Sequence, residues 1–432
     1  MINPVRSRVL AWALWDCGST GMSAIVITFV FSVYLTGTVG ADLPGDTSST
    51  SWLGRALAAA GVVVALLAPA TGIWVQAPRR RRRVLALLTG VLVVLTAAMS
   101  LIADDHRYLL PGLILLAFTA ACNELATVPY NAMLRQLATP QNSGRISGFG
   151  WAMGYFGSVT LLLLVYFGFV SGTGDTRGFL HLPVEGGQNV RAVMLLAAAW
   201  FLLFALPLLL VPPSPMAGDD VPHARVGFLG AYRTLWTEIV GEWRRDRNVV
   251  YYLLASAVFR DGLAGVFAFG AVLGVTVYGV SDADILLFGV TGSAVAAVGA
   301  IAGGQADDRV GSKPVIVGSL TALIAVGLTL FTLSGPLAFW VCGLLLCMFI
   351  GPTQSAARTL MLRLAADGKE GVAFGLYTTA GRAVSFLAPW LFYTFIDVFG
   401  TDRAGLAGLC VVLVAGLAAM LAVRVPTRAT AL

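Results

Sequence analysis

This sequence has few charged residues: only 12% of its 432 residues are Asp, Glu, Lys or Arg. A soluble protein carries about 25% charged residues, so the composition excludes an ordinary soluble globular protein. Instead, 58% of the residues are hydrophobic and the mean hydropathy is +0.83. The apolar residues form twelve long stretches, and a run of roughly 20 such residues crosses the ~30 Å hydrocarbon core of a bilayer as a helix.

These stretches predict helices rather than strands. In lipid, only helices and closed barrels satisfy all backbone hydrogen-bonding groups, and the stretches are too long for the roughly 10-residue strands of a barrel. We therefore predict an all-α polytopic membrane protein of twelve transmembrane helices in two six-helix bundles. The predicted spans are Val9–Thr36, Leu53–Val75, Val84–Ala103, Leu109–Leu137, Ile146–Val170, Val190–Val211, Val249–Tyr278, Ile285–Gly304, Pro314–Leu333, Pro336–Leu364, Val372–Ile396 and Ala404–Val423.

Residues that build disulfides and metal sites are also few. All five cysteines lie within predicted spans, so no disulfide framework is expected. The three histidines are scattered over the connections and do not suggest a metal site. The sequence lacks the phosphate-binding pattern G-x-x-x-x-G-K-[ST], which argues against ATP as an energy source. We predict no cofactor, no metal, no enzymatic activity and no nucleic-acid partner.

Basic residues are distributed unevenly between the two sides of the membrane. Of 28, three lie inside spans and away from their ends, five lie in or next to the connections on one side, and the remaining twenty lie on the side of the N-terminus. Since Lys and Arg are enriched in cytoplasmic loops, both termini are predicted to be cytoplasmic. The run Arg79–Arg83 belongs to this excess and is interpreted as an anchor at the membrane surface. With no organelle-targeting extension, the bacterial inner membrane is the predicted location.

The longest polar connection divides the chain into residues 1–212, a linker of residues 213–248, and residues 249–432. Apolar residues recur in the linker at helical spacing, which predicts an amphipathic helix on the membrane surface. These residues are Phe228, Tyr232, Leu235, Trp236, Ile239 and Trp243. The helix is predicted either to tether the linker to the bundle or to dock a partner or lipid.

Four similarities between the halves indicate an internal duplication. Asp16 and Tyr34 of the first span correspond to Asp261 and Tyr278 of the seventh, Asn131–Ala138 to Thr359–Ala366, Gly148 to Gly375, and Gly154 to Gly381. A duplicated bundle with a binding site near the bilayer midplane is a transporter architecture. The glycines of the fifth span are interpreted as a close-packing stripe.

The connection after the eighth span, Gly303–Val317, resembles the loop signature G-x-x-x-D-R-x-G-R-K of the major facilitator superfamily. The matching residues are Gly304, Asp308, Arg309, Gly311 and Lys313, with Ser312 where a second basic residue is usual. The resemblance implies that this loop takes part in gating. The corresponding connection Gly72–Val84 departs from the signature, because Gln76 and Ala77 stand where an Asp is expected.

Four stretches resemble the vacuole-effluxer family within that superfamily: Trp12–Leu35, Tyr130–Gly157, Phe259–Gly274 and Gly351–Pro389. Fungal members of this family export amino acids from the vacuole. The resemblance implies the major facilitator fold and transport, with amino-acid efflux as the first expectation. Cys17 and Gly18 depart from the aromatic and small pair that usually follows the Asp.

Six ionisable residues lie inside the predicted spans, away from their ends: Asp16, Glu124, Arg260, Asp261, Arg358 and Arg382. Each costs roughly 2.5–3.5 kcal/mol on insertion scales, and such residues usually face a bundle interior and serve transport. In the fold that the resemblance implies, the first, fourth, seventh and tenth helices line the central cavity. All six except Arg382 lie on those helices.

The acids have functional and structural interpretations. Asp16 is predicted either to serve the pathway or to cap a helix or pair with a nearby Arg. Glu124, beside Asn123, is interpreted as a carboxylate that changes its protonation when its surroundings alternate between wet and dry. Asp261 is the leading proton site. It need not pair with Arg260, since adjacent residues do not face each other on a helix.

The arginines also have a functional and a structural interpretation. Arg358 follows Gln354 by one turn, and its planar fork suits a carboxylate or phosphate. It is predicted either to bind such a group or to pair with Asp261 or Glu124. Asn123, Gln354 and Arg382 are secondary candidates, and Arg382 is expected to be structural.

The sequence thus predicts a secondary active transporter that works by alternating access, with proton coupling through Asp261 and Glu124 and a contribution from Asp16. Arg358 is predicted to bind a substrate carboxylate or to compensate the pair of proton sites, Asp261 and Glu124. The expected partners are a small amphiphilic substrate, amino acids first, the proton and the lipid bilayer, and the protein is expected to be a monomer that exports. Two alternatives stay open: a transporter of lipids or drug-like amphiphiles with this fold, and a non-transporting sensor.

Overall fold

The computed structural model describes residues 4–43, 48–172, 174–210, 230, 232–233, 237, 241 and 247–425, without the side chains of residues 4, 5, 282, 283 and 286. Within these residues, twelve helices are long and apolar enough to cross a membrane. They are α1 (Arg6–Val39), α2 (Ser49–Trp74), α3 (Pro78–Leu101), α4 (His106–Leu137), α5 (Ser143–Val170), α6 (Glu185–Leu210), α7 (Arg247–Thr276), α8 (Leu287–Val310), α9 (Ser312–Thr332), α10 (Pro336–Leu364), α11 (Glu370–Phe399) and α12 (Ala404–Ala422). Each coincides with one predicted span, which confirms the twelve-helix fold.

Several helices depart from regular α-helix. After Ser23, α1 continues as π-helix over Ala24–Phe29, and α5 ends in π-helix over Tyr166–Val170. The eleventh span is interrupted, because α11 consists of two segments, Glu370–Val384 and Leu387–Phe399. A small antiparallel hairpin, β1 (Thr176–Arg177) and β2 (Leu182–Pro183), lies between α5 and α6.

The eighth helix is longer than the sequence predicts. It was expected to end at Gly304, but it continues to Val310 and ends at Gly311. Gly311 has φ +97°, a conformation that favours glycine because it has no Cβ. Asp307 and Asp308 are therefore helical residues of the last turns of α8 rather than loop residues.

The chain forms two compact units. The first contains Met1–Leu67, Ala77–Met133 and Met153–Val221, and the second contains Ala68–Gln76, Leu134–Ala152 and Pro222–Leu432. The second unit thus includes the last turns of α2 and the start of α5. The domain boundaries at residues 212 and 248 remain predictions.

The core of the first unit is built around an aromatic cluster of Trp12, Trp15 and Tyr130, all buried. The ring of Tyr130 stacks on both tryptophans, with centroids 4.6 Å and 4.5 Å apart. The Trp12 indole donates to the Tyr130 carbonyl at 3.0 Å, and the Trp15 indole donates to Thr89 Oγ1 at 3.1 Å. These ring contacts and hydrogen bonds pack α1 against α3 and α4, and they give each indole N–H a partner.

The Arg79–Arg83 run has a structural role beyond the predicted anchor. Arg81 is 1% exposed and donates to the Ala132 carbonyl at 3.0 Å, near the end of α4. Arg82 Nε donates to the Leu209 carbonyl at 2.9 Å, at the end of α6. The last carbonyls of a helix lack intrahelical partners and carry partial negative charge, so cations stabilise them. Two of the five arginines therefore cap helices of the first unit.

We expect Arg81→Gln to lower the unfolding temperature clearly, because it removes a charged donor from a buried carbonyl. A hydrogen bond to a charged group contributes about 1.5–3 kcal/mol. Arg83→Gln is the matched control, since Arg83 belongs to the same run but is exposed. Thermal unfolding in detergent measures both, and an equal effect of the two substitutions would contradict the capping role of Arg81.

Corresponding tyrosines make the same contact in the two units. Tyr34 Oη donates to the Ile102 carbonyl just after α3 at 3.3 Å, in the first unit. In the second unit, Tyr278 Oη donates to the Leu330 carbonyl near the end of α9 at 2.8 Å. This equivalence supports the internal duplication.

Most of the predicted amphipathic linker helix lies outside the described residues. Of its six apolar positions, only Tyr232 is described, and it is helical and half-buried. It packs against a cluster of Ala70, Ile73 and Val372 from α2 and α11. This contact favours the interpretation of the linker as a tether.

Candidate functional site

In the first unit, α1 directs Asp16, Ser19 and Thr20 towards α4 and α5. Thr20 Oγ1 donates to Asp16 Oδ1 at 3.2 Å, and Ser19 Oγ donates to Asn123 Oδ1 at 2.8 Å. Asp16, Ser19 and Thr20 share one face of α1, since residues three and four apart lie on the same side of a helix. The structure thus joins the predicted residues Asp16 and Asn123 through adjacent polar side chains of α1.

A glycine of α5 makes room for this polar group. A Cβ at Gly154 would lie 2.9 Å from Thr20 Oγ1 and 3.5 Å from Asp16 Cγ. The α5 backbone therefore approaches the Asp16 side chain closely. Glu124, next to Asn123 on α4, is half-buried, and its backbone carbonyl accepts a hydrogen bond from Thr127 Oγ1 at 2.6 Å.

The π-helical segment Ala24–Phe29 begins one turn after Thr20. Such segments are rare and occur frequently at functional sites. Hydropathy does not reveal them, because the sequence of this segment is as apolar as the rest of α1. The helix α1 is therefore irregular from about two turns after Asp16.

In the second unit, the break in α11 is the central feature. Pro389 lies in the first turn of Leu387–Phe399, and a proline removes one backbone N–H and displaces the carbonyl four residues earlier. The break leaves the N–H groups of the new first turn without intrahelical partners. Asp261 of α7 is 7% exposed, and its Oδ2 accepts the Ala388 N–H at 2.6 Å. The carboxylate therefore caps the second segment of α11.

Arg260, the preceding residue, binds the first segment of α11. Its guanidinium carbon lies 3.9 Å from the centre of the Tyr377 ring, and Nη1 donates to the Tyr377 carbonyl at 3.2 Å. Gly381 lies one turn further along, where a Cβ would be 3.2 Å from Nη1. The two adjacent charges of α7 thus bind the two segments of α11, which fits the expectation that they need not pair with each other.

Arg358 of α10 lies elsewhere in the second unit. It is 4% exposed and donates from Nε to Ser147 Oγ at 3.0 Å and from Nη2 to the Ser147 carbonyl at 2.6 Å. Its guanidinium also lies 5.6 Å from the Trp151 ring. These contacts fix Arg358 against α5. Its predicted binding of a substrate carboxylate stays a prediction.

The secondary candidates occupy positions along α10 and α11. Gln354 is half-buried, one turn before Arg358. Arg382 is half-buried near the end of the first segment of α11, and its carbonyl accepts the Ser385 hydroxyl at 2.9 Å. That contact places Arg382 beside the break.

The signature at the end of α8 binds the start of α5. Asp308 accepts the backbone N–H groups of Gly144 at 2.8 Å and Arg145 at 3.1 Å, together with Arg145 Nε at 2.9 Å. A carboxylate at a helix N-terminus satisfies free donors and opposes the helix dipole. Arg309 is exposed. Lys313 Nζ donates to the carbonyls of Leu421 at 3.0 Å and Val423 at 2.6 Å, near the end of α12.

Sequence reasoning missed a second acid and its partner. Asp307 is fully buried and forms an ion pair with Arg363 of α10. Arg363 also donates to Ser312 Oγ at 2.7 Å and to Ser143 Oγ at 3.0 Å. The doubled acid before Arg309 was the available signal, because the superfamily pattern requires only one acid there.

The first half lacks the signature Asp, and the acids near the end of α4 come instead from the connection before α11 and from the first residue of α11. Arg135, at the end of α4, pairs with Asp367 and lies 3.6 Å from the carboxylate of Glu370. Glu370 is 2% exposed, whereas Asp367 lies at the surface. The carboxylates at this position are therefore supplied by a different part of the chain from the one that supplies Asp308.

Glycines bring two helix pairs of the second unit into backbone contact. A Cβ at Gly148 would clash with the Ala300 carbonyl, and one at Gly375 would lie 2.7 Å from the Ala68 carbonyl. These crossings join α5 with α8 and α11 with α2. Small residues permit such close approach, and Gly148 and Gly375 are the positions that the internal duplication pairs.

Comparisons with known proteins agree with this geometry. The sequence profile of the family described as "Vacuole effluxer Atg22 like" matches residues 33–430. The chain is 21% identical over 417 residues to the "Uncharacterized MFS-type transporter YxiO" of Bacillus subtilis, covering 96% of this chain and 95% of the relative. It is 23% identical over 282 residues to "Autophagy-related protein 22" of Yarrowia lipolytica, covering 59% of this chain and 46% of that longer protein.

Solved structures show the same fold. The proton:xylose symporter XylE bound to 6-bromo-6-deoxy-D-glucose superposes with a TM-score of 0.73 at 16% identity, covering 96% of this chain and 95% of the symporter. FucP, a major facilitator transporter in the outward conformation, gives a TM-score of 0.71 at 14% identity, covering 98% and 99%. The chain therefore belongs to the vacuole effluxer Atg22-like family of major facilitator superfamily transporters.

Proposed function

We propose that this transporter exports small amphiphilic metabolites, with amino acids as the first candidates, and that protons drive it by alternating access. The family's description as vacuole effluxers supports the direction. The observation that carries proton coupling is Asp261, a carboxylate inside α7 that caps the break in α11. We further propose that the protein acts as a monomer in the bacterial cell membrane.

Asp261 has the surroundings that a proton site requires. Among the described residues it forms no ion pair, so its charge is held by backbone N–H rather than by a cation. Of the charged residues on the neighbouring helices, α7 carries Arg260 next to Asp261 and α11 carries Arg382 near its break, whereas α12 carries no Asp, Glu, Lys or Arg between Ala404 and Ala422. Protonation of Asp261 would therefore act mainly on its bond to α11.

The proposed coupling step acts on the second segment of α11. The ionised carboxylate accepts the Ala388 N–H and opposes the positive end of that segment's dipole. A protonated carboxyl is uncharged and is a weaker acceptor, so Leu387–Phe399 is released to move against α7. Broken helices around a midplane site are a recurrent device in secondary transporters. Glu124 and Asp16 are proposed as further proton sites in the first unit.

The test is uptake and efflux of a labelled amino-acid panel in proteoliposomes under an imposed pH gradient. We expect Asp261→Asn to abolish gradient-driven flux, because Asn keeps the size of the side chain but cannot be ionised. Asp397→Asn is the matched control, since Asp397 is an exposed acid on the same segment of α11. It should leave flux unchanged.

Each other outcome removes one part of the proposal. Undiminished flux in Asp261→Asn would transfer the coupling role to Glu124. Absence of flux for every amino acid, in folded wild-type protein, would reject amino acids and favour lipids or drug-like amphiphiles. Ligand binding without flux for any compound would favour a sensor.

A further inference from the structure

We infer that Arg260, held by Tyr377 and facing Gly381, is the residue of the second unit that binds a carboxylate of the transported substrate. The inference rests on the proposed function and names the chemical class of its substrate. It places carboxylate recognition on α7 and α11 instead of on Arg358.

The first argument is the state of the Arg260 charge. A guanidinium inside a transmembrane helix is costly and is normally compensated by an anion or by polar groups. Among the described residues, no carboxylate lies within ion-pair distance of Arg260, and its contacts are the Tyr377 carbonyl and ring. Asp261 does not compensate it, because that carboxylate binds Ala388. A carbonyl and an aromatic face compensate a cation only in part.

The second argument is donor capacity. A guanidinium has five N–H donors, and the single hydrogen bond that Arg260 donates within the described part of the chain uses Nη1. Arg358, in contrast, is 4% exposed and donates from both Nε and Nη2 to Ser147. Arg260 is half-buried, so it remains accessible while its position is fixed. Arg260 is therefore better placed than Arg358 to bind a ligand.

The third argument is orientation. Tyr377 is 6% exposed, and the centre of its ring lies 3.9 Å from the guanidinium carbon. At Gly381, a Cβ would lie 3.2 Å from Nη1 and 3.7 Å from Nη2, so the lack of a side chain there lets the guanidinium pack closely against α11. A guanidinium fixed in one orientation presents a planar fork that matches the two oxygens of a carboxylate.

Binding of unlabelled probes to purified protein tests this site without any transport step. The probes are 4-methylpentanoate, L-leucine, L-leucinamide and inorganic phosphate, and the measurement is the ligand-induced rise in unfolding temperature, which reports binding to the folded state. We expect the two carboxylates to raise the unfolding temperature of the wild type, and the amide and phosphate to leave it unchanged. Arg260→Gln should weaken carboxylate binding by about 10- to 100-fold, the equivalent of losing a charged hydrogen bond.

Two further variants separate binding from folding. Arg247→Gln, at the exposed start of the same helix, is the control and should bind as the wild type does. Gly381→Ala keeps the charge of Arg260 but adds a methyl group beside Nη1, so it should weaken binding even if Arg260→Gln fails to fold.

The inference is overturned if the carboxylates leave the wild type unchanged at millimolar concentration, or if the amide or phosphate stabilises it equally. It is also overturned if folded Arg260→Gln and Gly381→Ala bind the carboxylates as the wild type does. Failure of the proposed function looks different. Carboxylate binding through Arg260 without flux in vesicles would reject transport and retain the site, whereas flux with Arg260-independent binding would reject the site and retain transport.

Discussion

Gly304→Ala is expected to separate α8 from α5 and to reduce transport strongly, whereas Gly289→Ala on the same helix is expected to change little. A Cβ at Gly304 would lie 2.5 Å from the Gly144 carbonyl and 3.2 Å from Gly148 Cα. Both neighbours are backbone, so no side-chain rotation relieves the clash. Around Gly289, the structure shows open space within 4 Å.

The size of the effect follows from the cost of overpacking. Forcing an extra methyl group into a close-packed contact costs about 1–3 kcal/mol. If the α5–α8 crossing forms in only one state of the transport cycle, that cost shifts the population away from this state by roughly 5- to 150-fold. The variant would then stay folded but spend its time in the other state.

Two measurements distinguish a crossing that opens from a permanent one. Hydrogen exchange reports local opening of residues 143–152 and 300–310, and thermal unfolding reports global stability. Faster exchange in these segments with an unchanged unfolding temperature indicates a crossing that opens during transport. A lowered unfolding temperature indicates a permanent contact. Wild-type exchange, stability and flux in Gly304→Ala would show that the two backbones are not in close contact.

How much of this molecule the sequence predicts depends on the kind of interaction. Transfer from water to lipid depends on composition over a window of about 20 residues, so all twelve spans were predicted from hydropathy. The internal duplication could also be recognised from the sequence, and it pairs Gly148 with Gly375, each of which meets a backbone carbonyl of a neighbouring helix in the structure. Hydropathy is a local property of the sequence, and the duplication is a repeated pattern, so neither depends on knowing which helices are neighbours.

Partners of individual side chains were not predictable in this way. The burial of Arg81 depends on where α4 ends in space, and the binding of Arg358 to Ser147 depends on the approach of α5. The break in α11 had a local signal in Pro389, but prolines also occur inside continuous helices here, such as Pro352 in α10. At the break in α11, Asp261, more than 100 residues earlier in the chain, accepts the Ala388 N–H.

Arg363→Ala is expected to destabilise the protein more than any other single substitution considered for this chain. Asp307 is fully buried, and its Oδ2 has no hydrogen-bond partner among the described residues. Its Oδ1 is bound by Arg363 and by Ser312 Oγ, the latter at 2.9 Å. Without Arg363, the carboxylate keeps the cost of burial and loses its cation. Breaking one side of a buried ion pair in this way costs about 3–5 kcal/mol.

The control and the rescue use neighbouring residues. Arg309→Ala removes an exposed arginine two residues from Asp307 and should leave the unfolding temperature close to that of the wild type. Adding Asp307→Asn to Arg363→Ala removes the stranded charge, so the double variant should recover part of the lost stability. In a double-mutant cycle, that recovery measures the coupling between the two residues. Losses that simply add would mean that Arg363 stabilises the protein through Ser312 and Ser143, independently of Asp307.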